Sequence, residues 1–195
     1  HNGLQRQRFL PAIALLKQHT RVLHVGGDMD YRTRALEQAG TYHLTSDGLA
    51  DEKLRKEFHD LTGIERHHGS RSLMVNNREL SVIMWDDGIA WFTFAQLCEA
   101  PRSTDDYIQI AEYFHTVMVS DVPVMATLQD DAARRFVNMI DEFYDRSVNL
   151  VVSAEAEPLD LYTGKRLAFE FERTASRLQE MQSHEYIARE HMKDG

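Results

Sequence analysis

The chain has 195 residues, of which 43% are hydrophobic and 27% charged, and its formal net charge is −9. This composition is ordinary for a folded protein with a buried core. The negative charge argues against a general nucleic-acid binder, because phosphate contacts need a dense basic surface. Cys98 is the single cysteine, so the chain has no internal disulfide, and its apolar neighbour Leu97 predicts a buried thiol.

The first third of the chain predicts helices around one short strand. Phe9 begins an apolar stripe at helical spacing. The run "RVLHVGG" at 21–27 predicts a buried strand that ends in glycines. Two further helices are predicted over "DMDYRTRALEQAG", ending at Gly40, and "LADEKLRKEFHDLTG", ending at Gly63.

The pattern of apolar residues changes from helical spacing to short runs near residue 70. The segment "SLMVNNRELSVIMWDDGIAWFTFAQLC" contains three such runs. The runs are separated by "NN" and "DDG", which are the turn residues of β-hairpins. The stretch therefore predicts a small antiparallel meander. Trp85 and Trp91 flank the second turn, and we expect them to pack beneath the sheet rather than to form a partner surface.

The last third predicts a strand–helix–strand unit. A helix over "STDDYIQIAEYF" leads into the extended run "HTVMVSDVPVM", the strongly amphipathic helix "DDAARRFVNMIDEFYDR" and the apolar strand "VNLVVSAE". This order is typical of a βαβ unit in a parallel sheet. The alternation in "RLAFEFE" then predicts a strand with Leu167, Phe169 and Phe171 on one side, followed by a polar helix from about Thr174 to His191. The fold class is therefore α/β with an antiparallel hairpin insert.

Signatures of catalysis are missing from the sequence. It contains no GxxxxGK[ST], GxGxxG, GxSxG, HExxH or CxxC. The histidines are isolated or wrongly spaced for one metal ion, so no metal site is expected. "IDEFYD" has the letters of a Walker B box, but it lies inside a predicted helix, whereas a Walker B box ends a strand.

Arginines beside apolar residues are the better functional lead. A guanidinium on a rigid element binds phosphate oxygens in a bidentate manner and stays charged. Surface solvation and salt bridging are the alternative, and the pattern alone favours it. The candidates are Arg6, Arg8, Arg134, Arg135, Arg173 and Arg177.

Several motifs, taken together and in order, resemble the C-terminal half of the ZapE family of P-loop AAA+ ATPases. They are "NGLQRQRFLPAI", "DYR", "FHTV", "SDVPVM", "ARRFVNMIDEFYDR", "LVVSAE" and "FEFERTASRLQEMQSHEY". The resemblance implies that the parent protein carries Walker A, Walker B and an Asn-type sensor ahead of "GLQR". Residue 1 is then expected just after the sensor strand. Residues 1–27 would be the end of the AAA+ core, 28–100 helices and the meander, and 101–195 a C-terminal α/β and helical region.

The resemblance also implies roles for the arginines. Arg6, in "GLQR", is the leading candidate for an arginine finger that reaches a neighbouring subunit's nucleotide, and Arg8 is the runner-up. Arg134 or Arg135 and Arg173 or Arg177 are candidates for a sensor arginine or for contacts between subunits. The parent is expected to bind ATP and Mg²⁺, whereas this chain alone, without the Walker motifs, is expected to bind neither.

The parent is further expected to form a ring and to remodel a partner. By resemblance the partner is the division-ring protein FtsZ, in the cytoplasm at the inner face of the membrane. Two other functions remain open from the sequence. One is a non-enzymatic interaction module that acts through the hairpins at 73–97 and the final helix, and the other is an unrelated small α/β enzyme.

Overall fold

The structure, a computed structural model, describes residues 28–63, 72–86 and 88–192. The apolar stripe at Phe9 and the strand predicted at 21–27 lie outside these ranges. The chain divides into two compact units, His1–Tyr31 and Arg32–Gly195. Every contact described below belongs to the second unit.

Helices and strands alternate along most of the described chain. Helices α1 to α6 span Asp28–Ala39, Ala50–Thr62, Thr104–Tyr113, Asp130–Asp145, Ala168–Glu180 and His184–Ile187. Strands β1 to β7 span Tyr42–Leu44, Ser72–Val75, Arg78–Ser81, Met84–Asp86, Ile89–Thr93, Thr116–Val122 and Asn149–Ala154. A π-helical turn, Ala95–Glu99, follows β5. The helices predicted before Gly40 and Gly63 are confirmed, and both glycines have the positive φ of a helix C-terminus.

The main sheet has five strands in the order β1-β7-β6-β5-β4. β1, β7, β6 and β5 are parallel, and β4 joins β5 in antiparallel fashion. β2 and β3 form a separate two-stranded sheet. Both predicted antiparallel hairpins are therefore confirmed, but the prediction that they form one meander is wrong. The turns were located correctly, but β5 is buried on both faces, and its free edge pairs with β6 rather than with the first hairpin.

The predicted βαβ unit is confirmed as β6–α4–β7. The two strands are parallel neighbours and α4 connects them. The predicted apolar stripe of α4 packs into the core through Ala133, Phe136, Val137 and Ile140. "IDEFYD" lies inside α4, so it is not at a strand end.

Helices cover both faces of the main sheet. On the face we call the large face, α3, α4 and α5 pack on alternate strand residues, and the strands contribute Ala90, Phe92, Val117, Val119, Leu150 and Val152. On the opposite, small face, α1 and α2 pack through Leu36, Leu54, Phe58 and Leu61 on Ile89, Trp91, Met118 and Val151. The burial of Trp91 confirms the expectation that it packs beneath a sheet.

The strand predicted over "RLAFEFE" is wrong. This segment begins α5, and Phe169 is exposed whereas Leu167 and Phe171 are buried. The buried residues recur at helical spacing from Phe171 through Ala175 to Leu178, and that longer period determines the structure. The final helix is also interrupted, because α6 starts anew where the Ser183 hydroxyl accepts the N–H of Tyr186.

Candidate functional site

The arginines singled out by the sequence have different surroundings. Arg6 and Arg8 lie outside the described residues. Arg173 and Arg177, one turn apart on α5, both reach Asp141 of α4 with nitrogen–oxygen distances of 2.5 Å. The structure therefore brings these two arginines together at the seam between α4 and α5.

Arg134 and Arg135 are adjacent in sequence but face different elements. Arg134 Nη1 lies 3.0 Å from Glu170 Oε1, so it shares the α4–α5 seam. Arg135 Nε donates to the carbonyl of Cys98 at 2.5 Å, beside the π-helical turn. Arg135 therefore does not belong to the same group as the seam arginines.

Each of these described arginines has a partner within the chain, as the salt-bridging interpretation expects. Arg177 also lies over the ring of Tyr144, 4.7 Å from its centroid. Arg173 is 54% exposed at its side chain despite its ion pair. Contact of any of them with a phosphate or a neighbouring subunit stays a prediction.

Cys98 is fully buried, which confirms the interpretation from sequence. Burial raises the pKa of the thiol strongly, and the nearby charge of Arg135 opposes the shift only in part. The thiol is therefore protonated at neutral pH. A protonated, buried thiol is a packing group and not a nucleophile.

The carboxyl ends of parallel strands are the part of an α/β sheet where ligands usually bind. β1 and β7 are neighbours here, although β5 and β6 come between them in the chain. After β1 the chain crosses to the far edge of the sheet, and it then returns strand by strand to β7. The order of strands along the chain therefore changes direction between β1 and β7, and α/β sheets usually form a binding crevice at such a point. The Tyr42 hydroxyl donates to the carbonyl of Ala156 at 2.6 Å and ties the segment after β7 to β1. Burial and the charge of Glu157 raise the pKa of Tyr42.

A row of polar side chains crosses this edge of the sheet on the small face. Thr93 pairs in register with Ser120, and His43 pairs with Ser153. Ser153 Oγ accepts the N–H of Asp121 at 3.1 Å, which links the middle of the row. His43, Ser120 and Ser153 are all buried.

Glu57 of α2 completes the polar row from above the sheet. Its Oε1 lies 2.7 Å from Nε2 of His43, and both side chains are buried. Asp121, at the end of β6, has a φ of 61°, a left-handed conformation that residues other than glycine seldom adopt. The strand irregularity after Val119 turns its backbone N–H toward Ser153.

The charges at this edge do not suit a nucleotide triphosphate. The described acidic side chains at or near it are Glu57, Asp121, Glu155 and Glu157. Carboxylates repel phosphate oxygens, whereas phosphate sites use lysine, arginine or free backbone N–H groups. The described acidic side chains therefore do not favour phosphate binding at this edge.

The sequence interpretation missed the polar row. The signal for part of it was present, because β6 ends in "VSD" and β7 in "VSAE", so serine stands near the same end of two neighbouring strands. His43 and Glu57 gave no such signal. They are 14 positions apart, and only the packing of α2 on the sheet brings them together.

Neither a metal site nor a membrane-spanning helix emerges from the described residues. No group of three or more histidine, cysteine or acidic side chains there has the geometry to hold an ion. Among the same residues, no helix is long and apolar enough to cross a bilayer.

The fold defines the class of the protein. A mostly parallel sheet, covered by helices on both faces and accompanied by a small antiparallel sheet, is a mixed α/β architecture consistent with a portion of a P-loop AAA+ ATPase. Residues 1–190 match the model of the AFG1-like ATPase family, and the chain belongs to that family.

Curated relatives match the chain along almost its whole length. It is 48% identical to the cell division protein ZapE of Escherichia coli K12 over 98% of this chain and 51% of that protein. It is 33% identical to lactation elevated protein 1 homolog B of Danio rerio over 95% of this chain and 44% of that protein. The chain thus spans about half the length of these relatives. No solved structure matches it.

Proposed function

We propose that the chain is the C-terminal part of an AAA+ protein that hydrolyses ATP with Mg²⁺ and remodels a partner protein. The observation that supports this most is the match to ZapE, at 48% identity over 98% of the chain. On the same basis we propose a role in bacterial cell division, with FtsZ as the partner, in the cytoplasm at the inner face of the membrane. The nucleotide would be held by the part of the parent that lacks a counterpart in this chain.

Arg6 is proposed as the arginine finger of a ring, with Arg8 as the alternative. Its guanidinium would stabilise the charge that develops on the phosphoryl group in a neighbouring subunit. Such a finger contributes ~10³–10⁵ in rate. An acidic carboxyl edge is compatible with this assignment, because it leaves the phosphates to a different site.

The α4–α5 seam supplies three of the four candidates for a sensor arginine or for contacts between subunits. Arg134 and Arg173 are the more exposed of them, and their carboxylate partners hold them at defined positions. Arg177 is more enclosed, between Asp141 and the ring of Tyr144. We therefore propose Arg173 and Arg134 for contacts between subunits ahead of Arg177 and Arg135.

ATP turnover by the full-length parent and its Arg6→Ala variant tests the finger. We expect the variant to assemble as the parent does and to lose about three orders of magnitude in kcat. Arg8→Ala tests the alternative finger, because it removes the same charge two residues away. An assembled Arg6→Ala oligomer with full turnover would remove Arg6 from this role.

A non-enzymatic interaction module is the second candidate. The exposed Met74 on β2 favours it, because an apolar side chain exposed on the hairpin β2–β3 is available to a partner. Pull-down of FtsZ by the 195-residue chain, with and without Met74→Ser, separates the two ideas. Capture that needs neither ATP nor the parent's other half favours the module.

A further inference from the structure

Two loops at the carboxyl edge are tied into one surface, which we call the loop-pair surface. It consists of residues 121–131, at the end of β6 and beyond it, and 155–160, after β7. The carboxylate of Glu155 accepts the N–H of Val124 at 2.8 Å, and Met125 pairs with the backbone just beyond the second loop. The two loops therefore hold a fixed relative position.

Tyr162 fixes the start of α5 beside these loops. Its hydroxyl donates to Asp130 at 2.6 Å, and its ring stacks on Phe171 with centroids 4.6 Å apart. The same hydroxyl accepts the N–H of Leu167 at 3.3 Å. The first turn of α5 thus borders the loop-pair surface.

This region exposes large apolar side chains from three segments of the chain. Leu128 is fully exposed, Leu159 is 67% exposed and Phe169, in the first turn of α5, is 81% exposed. Their neighbours Met125 and Leu161 are completely buried. Single exposed leucines are common, but large apolar side chains exposed on several segments that are tied together by hydrogen bonds are a candidate protein-binding surface.

The charged side chains of the two loops are all acidic. Residues 121–131 and 155–160 contain no lysine, arginine or histidine. Asp130 and Glu155 are engaged in the hydrogen bonds given above. Four further carboxylates are exposed and, within the described part of the chain, belong to no ion pair: Asp121, Asp131, Glu157 and Asp160.

We propose that the loop-pair surface, with Phe169 at its border, binds a segment of a partner protein in which lysine or arginine alternates with apolar side chains. The apolar groups of that segment would cover Leu128 and Leu159, and its cations would meet the exposed carboxylates. Complementary charge selects this partner, since nucleic acid and anionic membranes share the sign of the surface. The proposal goes beyond ATP hydrolysis and needs no nucleotide.

Fluorescence anisotropy with short labelled peptides tests the proposal on the 195-residue chain. One peptide alternates leucine and lysine, a second keeps the lysines and replaces leucine by serine, and a third keeps leucine and replaces lysine by glutamate. We expect the first to bind, with affinity that falls as salt rises, and the other two to bind at least about tenfold more weakly. Equal binding of the first two peptides overturns the apolar part of the proposal.

Variants locate the binding. The double variant Leu128→Ser, Leu159→Ser removes two exposed side chains, so the fold is unaffected, and we expect the Kd of the leucine–lysine peptide to rise about tenfold or more. Tyr113→Ser is the matched control, because it also removes an exposed, largely apolar side chain, at the end of α3. An unchanged Kd in the double variant, or an equal loss in the control, contradicts the assignment.

The full-length parent distinguishes a partner from the protein's own remaining half. A photo-crosslinker replaces Leu159, and the leucine–lysine peptide is added as competitor. We expect crosslinking to the peptide. Crosslinking only within the same chain, undiminished by peptide, would show that the surface is an internal contact and would overturn the proposal.

Discussion

The two faces of the main sheet differ in how their buried polar groups are satisfied. On the large-face side, the Tyr107 hydroxyl donates to the carbonyl of Leu97 at 2.8 Å, and Tyr186 donates to the carbonyl of Val148 at 3.2 Å. On the small face, Glu57 Oε2, Trp91 Nε1 and Thr41 Oγ1 are buried without a hydrogen-bond partner in the described part of the chain.

The difference shows where stability and adaptability lie. A buried polar group without a partner costs about 1–3 kcal/mol, so the small face is held less tightly than its burial suggests. The large face combines a bigger apolar core with hydrogen-bonded tyrosine hydroxyls. We therefore expect substitutions on the large face to destabilise and selected polar-to-apolar substitutions on the small face to stabilise.

The largest effect is expected at the centre of the large face. Phe136 is fully buried and contacts the rings of Phe94 and Phe171, at centroid distances of 5.9 and 6.3 Å. Phe136→Ala should lower the free energy of unfolding by about 3–5 kcal/mol, because it leaves a cavity. Urea unfolding followed by circular dichroism measures it.

Phe169→Ala is the matched control for this variant, because the same atoms are removed from an exposed position. We expect a change within about 0.5 kcal/mol. Equal losses in the two variants would show that α5 packs differently from the structure.

The second effect concerns Asp106, which joins the hairpin β2–β3 to α3. Burial raises the pKa of its carboxyl, but hydrogen bonds from Ser103 N–H, the Asn76 amide and the Arg78 guanidinium outweigh burial and hold the pKa below its usual range. Stability from this site is therefore present above the unfolded pKa of about 4 and lost as pH falls through the lower folded pKa.

Asp106→Asn should lower the free energy of unfolding by about 2–3 kcal/mol at neutral pH. Its loss of stability between neutral pH and about pH 3 should be smaller than that of the wild type, because the linked proton is gone. Asp105→Asn, at an exposed neighbouring position, should leave both quantities nearly unchanged. If the free energy of unfolding of Asp106→Asn falls with pH as steeply as that of the wild type, the Asp106 carboxyl is not the source of this pH dependence.

The third effect is a gain on the small face. The double variant His43→Leu, Glu57→Leu replaces a buried polar pair by apolar groups, and we expect about 1–2 kcal/mol of stabilisation. His43→Leu alone should destabilise, because Glu57 is left buried without its partner. If the double variant is less stable than either single variant, the pair itself holds α2 on the sheet.

The smallest effect is expected at the α4–α5 seam. Arg173→Ala removes an ion pair whose arginine is more than half exposed, so stability should change by about 0–1 kcal/mol. ATP turnover by the full-length parent is the informative measurement for this variant. A clear loss of turnover without loss of stability supports contact between subunits, whereas Arg166→Ala, on the exposed approach to α5, should keep turnover.

Local pattern accounts for much of what could be predicted. The spacing of Phe136, Val137 and Ile140 defines α4, because a helix repeats its buried face every three to four residues. The apolar run of β7 and the asparagines at 76 and 77, with φ of 47° and 60°, were equally informative about a buried strand and a tight turn. These features depend on residues close together in sequence.

The failures have the opposite cause. Leu167, Phe169 and Phe171 satisfy the period of a strand, and only the packing of Phe171 on Phe136 and Tyr162 shows that α5 starts there. The polar row likewise depends on strand register, since His43 meets Ser153 across β1 and β7. Strand register and the packing of helices bring together residues that are far apart in sequence. A short stretch of sequence therefore does not contain the information that determines these contacts.

The sequence by itself determined the α/β class, the βαβ unit, the buried state of Cys98 and, through ordered motifs, the ATPase family. Hydrophobic period and composition suffice for these, because each is fixed by neighbouring side chains. The tertiary structure alone decided that the hairpins divide between two sheets, that His43 lies against Glu57, and that the loops carrying Leu128 and Leu159 are joined by hydrogen bonds. Those arrangements arise when distant segments compete for the same core and the same sheet edges.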